Sequence, residues 1–299
     1  MSNFILNDIL VLDYDEFNKM FHAYIVTLPY NIIASGYNNG KWYIIKHKKN
    51  TDIQKNRNMH KKFLNYWITN IHPKINKNKY YFLLCVYDGY RERIPYFDGK
   101  MIPYIPSKHE FLNMNEIKLN NNNIYPLLHK NKYILTFSKQ ITDDSAICVP
   151  DMFYIQSHGY INTLIKKIDD NRIDFSGKNN ICIYRGNINN GSLENLINNK
   201  YNMNQRKYLK SLYKSGKIQN IDFEDDYKSI EDQLKYKYIL DIDGWSNTWD
   251  STVWKLYSGS VMLKAKGIWK QWYYDELLPW VHYVPVENDF FDLNDKIKQ

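Results

Sequence analysis

Cysteine is scarce and scattered: Cys85, Cys148 and Cys182 are an odd set in 299 residues, with no CxxC spacing, which excludes a disulfide scaffold. Each lies in or beside an apolar run, so they read as buried thiols in a reducing compartment. No stretch approaches the roughly 20 apolar residues that a membrane-spanning helix needs, so no membrane span is expected. The first residues, Met1-Ser-Asn-Phe-Ile-Leu-Asn-Asp8, have neither a basic start nor a small-residue cleavage site, and no secretory signal is read there. Internal repeats are absent as well. The expectation is a soluble, cytoplasmic protein.

What the chain has is a 44% hydrophobic fraction and a formal net charge of +8. The length is enough for a substantial core and favours two domains over one. Lysine clusters at Lys46-His-Lys-Lys49, Lys55 to Lys62 and Lys74 to Lys79 are the kind of feature that attracts phosphate backbones. They are laced with asparagine in a chain rich in Asn, Lys, Ile and Tyr, a bias typical of AT-rich genomes, and solvated loops account for them. A basic nucleic-acid-binding module stays open as a second reading.

Hydrophobic patterning predicts the organisation. A helix is expected near Asp15 to Ala23, and an Asn-Gly turn at Asn39-Gly40 between Tyr30–Ala34 and Trp42–Ile45 predicts a hairpin. A further helix is expected over His60 to Ile71. The unbroken apolar run Tyr80 to Tyr87 reads as a central strand covered on both faces, and Tyr133 to Phe137 as another. After Pro150 the reading is helix (Gly159 to Asp169), strand (Ile181 to Tyr184), helix (Asn204 to Lys214), strand (Tyr238 to Ile242), helix to Tyr257, then a strand from Val261. Alternating elements imply a mainly parallel sheet, hence two α/β domains, 1–150 and 151–299.

Three strand ends share one design: Tyr87-Asp88-Gly89, Tyr184-Arg185-Gly186 and Ile242-Asp243-Gly244. A charged residue and a glycine past the carboxyl end of a strand is where open α/β sheets place ligand groups. Arg185 is the first phosphate candidate, because a guanidinium holds two oxygens at once and Gly186 lets the backbone come close. Ser246, Asn247 and Thr248, ahead of Trp249, are expected to cap the helix running to Tyr257 and to offer N–H and hydroxyl groups to a phosphate or a ribose. Asp241-Ile-Asp243 has the spacing of a metal-binding Asp-x-Asp. Strand alternation puts both carboxylates on one face, but the following turn already offers a phosphate site, so no metal is assigned. Trp249, Trp254, Trp269, Trp272 and Trp280 read chiefly as packing residues, and His282 as structural.

These residues, in this order, resemble glycosyltransferase family 90, which includes the protein O-glucosyltransferases and the fungal capsule-associated xylosyltransferases. The resemblance is carried by Tyr184-Arg-Gly-Asn187, Asn204-Gln-Arg206, Tyr236-Lys-Tyr238, Asp243-Gly244 with the Ser246 to Trp249 turn, Ser258-Gly-Ser260 and Trp280-Val-His-Tyr-Val-Pro-Val286. Upstream, Phe137-Ser138-Lys139 and Val86-Tyr-Asp88 look like further family segments. The resemblance implies a GT-B fold of two Rossmann-like domains, and inverting, metal-independent transfer from a UDP-sugar, with glucose or xylose favoured, to a hydroxyl of a glycan or protein acceptor. It makes Asp88 the catalytic base and places Ser138, Lys139, Arg185, Gly186, Arg206, Asp243, Gly244 and the Ser246 to Trp249 turn around the donor. Many members have an arginine where this chain has Ser251, beside Asp250; Lys255, Arg206, or the helix N-terminus with Arg185 would then meet the donor's charge. That substitution keeps a third reading in view, a non-catalytic sugar-nucleotide-binding relative. A viral or other AT-rich source fits the composition.

Overall fold

The computed structural model describes residues 10–21, 32–45, 53–86, 96–97, 100–101, 134–143, 146–191, 203–224 and 226–298. The chain divides into two compact units, Met1–Ile155 and Gln156–Gln299.

In the first unit the Asn-Gly signal makes its hairpin. Asn39 and Gly40 take φ of 45° and 89°, the left-handed pair of a tight hairpin turn, and β2 (Ile32–Asn38) and β3 (Lys41–Ile45) pair antiparallel across it. β4 (Lys79–Cys85) lies antiparallel to β2 and parallel to β5 (Ile134–Thr136), which explains its unbroken apolar run: it has a strand on each side, and Phe82 to Cys85 are buried. With β1 (Leu10–Leu12) and β6 (Ala146–Cys148) the sheet order is β1-β3-β2-β4-β5-β6. This sheet is mixed rather than mainly parallel, because the hairpin reverses β2 against both neighbours. Phe17 and Phe21 of α1 (Tyr14–Phe21) pack on Tyr81. α2 (Ile53–Tyr66) begins seven residues ahead of the expected start and continues as a π-turn over Trp67–Ile71. Straight-chain polar residues such as Gln54, Lys55 and Arg57 propagate a helix without an apolar stripe to announce it.

The second unit is all parallel. Its strands, β7 (Asn179–Tyr184), β8 (Ile221–Phe223), β9 (Tyr236–Asp241), β10 (Val261–Ala265) and β11 (Val284–Val286), stand in the order β8-β7-β9-β10-β11. β8 carries only three residues, Ile-Asp-Phe, too short a run to stand out in the sequence. In order of appearance the sheet reads 2-1-3-4-5, so the order of strand addition reverses between β7 and β9, and open parallel sheets bind their ligands outside the strand ends at such a point. α3 (Gln205–Lys214) follows β7; Asn204 caps it, its side-chain oxygen accepting from Lys207 N at 3.0 Å. α4 (Ile230–Gln233), α5 (Asp250–Tyr257) and α6 (Leu293–Lys298) complete the unit. The expected helix over Gly159 to Asp169 is a π-turn over Ile161–Ile165 running into a single α-turn over Lys166–Asp170, entered through Tyr160 at φ 66°. The core joins Cys182, Leu209, Ile221, Leu240, Leu263 and Val286, one or more from nearly every element. Among the described residues no helix is long and apolar enough to cross a membrane.

Candidate functional site

Arg206 sits where β7 and β9 diverge. From the first turn of α3 it donates from Nε to Asp243 O at 3.1 Å, from Nη1 to Asn187 O at 3.1 Å and from Nη2 to Ile242 O at 2.9 Å. It therefore ties together the two strand ends that look alike in sequence. Only 9% exposed, it has no carboxylate within ion-pair distance among the described residues. A guanidinium has five N–H groups and cannot shed its charge, so one N–H on each Nη and a full positive charge are left over. Those two nitrogens lie beside the glycines. A Cβ on Gly186 would come within 3.6 Å of Arg206 Nη1 and 2.7 Å of the Tyr184 hydroxyl, and one on Gly244 within 3.4 Å of Arg206 Nη2. The Tyr184 hydroxyl is itself buried without a hydrogen-bond partner. Burial pushes its pKa up to about 12, partly offset by Arg206, so it stays a donor. An unpaired buried cation and an orphaned buried hydroxyl facing a glycine cradle call for an acceptor that carries negative charge.

Arg185 was the stronger expectation for that task, and its surroundings differ from those of Arg206. Its guanidinium is enclosed by carboxylates: Nη2 is 2.5 Å from Asp222 Oδ1, Nε is 3.0 Å from Asp226 Oδ1, and Nη1 donates to the carbonyls of Tyr184 and Asp222 at 2.8 Å each. Asp222 also receives Lys228 at 2.9 Å and the Tyr236 hydroxyl. Burial alone would raise the Asp222 carboxyl, but hydrogen bonds from Tyr236, Lys228 and Arg185 override it and bring its pKa down to about 2. Arg185 is thus ion-paired to carboxylates of the protein itself.

The same holds for Lys255. Asp241 is fully buried and accepts from Lys255 at 2.6 Å, Lys264 at 2.9 Å, Thr252 at 2.9 Å and Thr248 at 3.0 Å. Burial works against the Asp241 carboxylate, yet the two ammonium groups hold its pKa far below the ordinary range. Lys264 also reaches Asp243 Oδ1 at 3.4 Å, so both carboxylates of the Asp-x-Asp do face one side, and an ammonium lies between them. Among the described residues that longer contact is the one ion pair of the Asp243 carboxylate, and burial raises its pKa. Among the described residues no cluster of three or more His, Cys, Asp or Glu is placed to hold a metal.

The capping expectation for Ser246 to Thr248 is also corrected. Trp249 is the residue that precedes α5, with φ 49° and ψ −120°, and its side chain makes no capping hydrogen bond. Thr248 instead turns its hydroxyl to Asp241, while Ser246 and Asn247 are buried. The Trp249 carbonyl accepts from Gln271 Nε2 at 3.2 Å, one of the contacts that hold this strained conformation. Asp250 occupies the first turn of α5, where a carboxylate suits the helix dipole but not an incoming phosphate.

In the first unit, Ser138 is buried and its carbonyl accepts from Thr136 Oγ1 at 2.9 Å. Lys139 is buried and donates to the carbonyls of Asp143 at 2.5 Å and Ala146 at 2.8 Å. Asp88 lies outside the described residues. Of the tryptophans, Trp254 and Trp269 are core as expected, whereas Trp280 is 61% exposed. His282 is structural: its Nδ1 accepts from Leu278 N at 2.8 Å.

Beside the cradle a cleft of about 560 Å³ runs from Gly186 and Asn187 to the loop after β8, where Asp226, Tyr227 and Lys228 form its wall. Asp222, Asp226 and Tyr184 went unassigned in the sequence; the first two lie in a stretch of charge that reads as solvated loop, and Tyr184 as an ordinary strand residue.

Uncharacterized protein 179R of Invertebrate iridescent virus 6 is 33% identical over 110 residues, 33% of this chain and 9% of that protein. Protein O-glucosyltransferase 2 of Danio rerio is 39% identical over 70 residues, 23% of this chain and 14% of that protein. O-glucosyltransferase rumi of Drosophila melanogaster is 32% identical over 85 residues, 25% of this chain and 20% of that protein. The chain thus spans a fifth or less of the length of these relatives. The model of the family described as glycosyl transferase family 90 matches residues 134–299, more than half of the chain and all of the parallel-sheet unit, and the chain belongs to that family.

Proposed function

We propose that the protein transfers a sugar from a UDP-sugar to a hydroxyl of a glycan or protein, with inversion and without a metal. The observation that carries this is Arg206, a buried cation with no carboxylate within ion-pair distance among the described residues, set between two glycines at the switch point of a parallel sheet. A diphosphate is the ligand this arrangement suits, with Tyr184 as an added donor. Lys264 between Asp241 and Asp243 occupies the position that a divalent ion would take in an Asp-x-Asp site, which favours charge compensation by side chains. The O-glucosyltransferase relatives make glucose the first sugar to test, with xylose next.

In this reading the parallel-sheet unit holds the donor and the N-terminal unit serves the acceptor. Asp88 takes the proton of the acceptor hydroxyl as its oxygen bonds to the anomeric carbon. The bond from that carbon to the phosphate oxygen breaks, and UDP leaves with the electron pair, its charge met by Arg206. A positioned base contributes about 10²- to 10⁴-fold, so Asp88→Asn is expected to lose that much transfer while binding UDP as the wild type does. The test is a UDP-sugar panel with and without EDTA. Full loss of turnover in EDTA would sink the metal-free mechanism, and absence of UDP binding would sink the enzyme.

A further inference from the structure

The net positive charge of the chain is concentrated in one segment of the first unit. Residues 41–79 hold 11 lysines and arginines against one acid, Asp52, whereas the rest of the chain balances 29 against 31. A bias in composition acts along the whole length, so it does not account for so lopsided a segment. Nor do solvated loops describe these lysines. Lys41 opens β3, Lys61 and Lys62 lie on α2, Lys74 ends a 3₁₀ turn over His72–Lys74, and Lys79 opens β4. These five and Lys77 are exposed, and among the described residues none of the six has a carboxylate within ion-pair distance. In the parallel-sheet unit the exposed Lys166, Lys235 and Lys266 each meet an acid, Asp170 at 2.8 Å, Asp232 at 2.7 Å and Glu287 at 2.5 Å.

The fold gathers the unmatched charges at the hairpin end of the mixed sheet. Asn38 stands opposite Lys41 on one side and Lys79 on the other, so these three side chains share a face, the lysines about 10 Å apart. Asn39 N donates to Asn78 O at 2.8 Å and fixes the approach to β4 against the turn. The His72 ring lies 4.3 Å from that of Tyr37, and its Nδ1 is 2.8 Å from the Tyr80 hydroxyl, which holds the turn carrying Lys74 at the same end. From there α2 and its π-turn lead back past Lys62 and Lys61 to Lys55, a span of about 28 Å.

A single phosphate would use two or three of these cations; a polyanion engages a stripe. Among the described residues of the segment no large apolar side chain is exposed, so nothing here would anchor in a bilayer. Exposed Asn76 and Asn78 alternate with Lys77 and Lys79, and amides donate to phosphate and sugar oxygens beside lysine. We propose that this face of the first unit binds the phosphate backbone of a nucleic acid. It does so independently of the donor site.

The experiment titrates the full chain into fluorescein-labelled single-stranded and duplex DNA of about 30 bases, read by anisotropy between about 50 and 200 mM salt. Lys74→Gln, Lys77→Gln and Lys79→Gln combined are expected to weaken binding at least about tenfold at about 100 mM salt, and to lower the slope of log affinity against log salt by about 2 to 3. Lys61→Gln with Lys62→Gln, on a different element, should cost about threefold or more. Lys166→Gln, Lys235→Gln and Lys266→Gln combined remove the same charge from paired lysines and should stay within about twofold of wild type. Absence of salt-sensitive binding to both DNAs would overturn the proposal. Equal losses in the two triple variants would overturn it too, since they would report net charge rather than a face. So would tighter binding to vesicles with about 30% phosphatidylserine than to either DNA, lost in the same lysine variants, because the partner would then be a membrane. UDP affinity should be unchanged in all three variants, so failure of the donor reading would show separately, as absence of UDP binding to wild type.

Discussion

Arg185 and Arg206 lie within one small region of the parallel sheet and carry the same group, yet they are caged in opposite ways. Arg185 is held by the carboxylates of Asp222 and Asp226; Arg206 is held by three backbone carbonyls. A carboxylate cancels a guanidinium's charge, whereas a carbonyl satisfies an N–H and leaves most of the charge in place. A cation that fixes the fold and a cation that waits for a ligand are therefore told apart by their acceptors, not by their burial. Lys178 extends the comparison. It is buried, donates to Ser258 O at 3.1 Å and Ser260 Oγ at 2.7 Å at the C-terminal end of α5, and has no carboxylate partner among the described residues. Burial, then the nearby Arg172, lower its pKa to about 8. A lysine can relieve an unmatched charge by losing a proton; an arginine cannot.

The largest effect is expected where a carboxylate cage is opened completely. Asp241→Asn would leave Lys255 and Lys264 buried without their shared anion, at a cost of about 3–5 kcal/mol in urea unfolding. A loss below about 1 kcal/mol would mean that both ammoniums reach water, and that carboxylates are not what holds this region together.

Next comes the contrast itself. Arg206→Lys keeps a charge but loses the fork, and UDP affinity by calorimetry is expected to fall about 100-fold, near 2.7 kcal/mol. Arg185→Lys should leave UDP affinity within about threefold and show its damage in stability. Equal losses of affinity in the two variants would erase the distinction drawn between the cages.

A smaller effect lies in acid. Asp222 titrates at about 2 in the folded protein and at about 3.9 when unfolded, so its contribution is present above pH ~4 and drains away as pH falls toward 2. The stability gap between wild type and Asp222→Asn should close over that window. If it stays constant, Arg185 is held by geometry alone.

The smallest concerns Lys178, whose folded pKa of about 8 lies below its unfolded value near 10.4. Between those values the unfolded chain binds more protons, so stability rises with pH there. Wild type should gain on Lys178→Met between pH ~8 and ~10, and a flat difference would show a fully charged lysine, no different in kind from Arg206.

Much of this molecule can be read without coordinates because local rules decide it. The Asn39-Gly40 hairpin follows from two residues that tolerate positive φ, and β4 from an apolar run. Errors came where local rules are silent. β8 is three residues long and owes its existence to pairing with β7. The Ser246 to Thr248 segment looks like a helix cap, but buried Asp241 draws the Thr248 hydroxyl away.

By itself, then, the sequence determined the strand–helix alternation of the second half, the glycine-marked strand ends and the family, since each rests on short-range patterns or ordered motifs. Only the tertiary structure decided which cation is matched by carboxylates and which is met by carbonyls alone. Arg185 and Arg206 are equivalent letters until β8 brings Asp222 to one of them and the carbonyls of two diverging strands surround the other. Charge is a property of a residue, but its availability is set by neighbours that are distant in the chain.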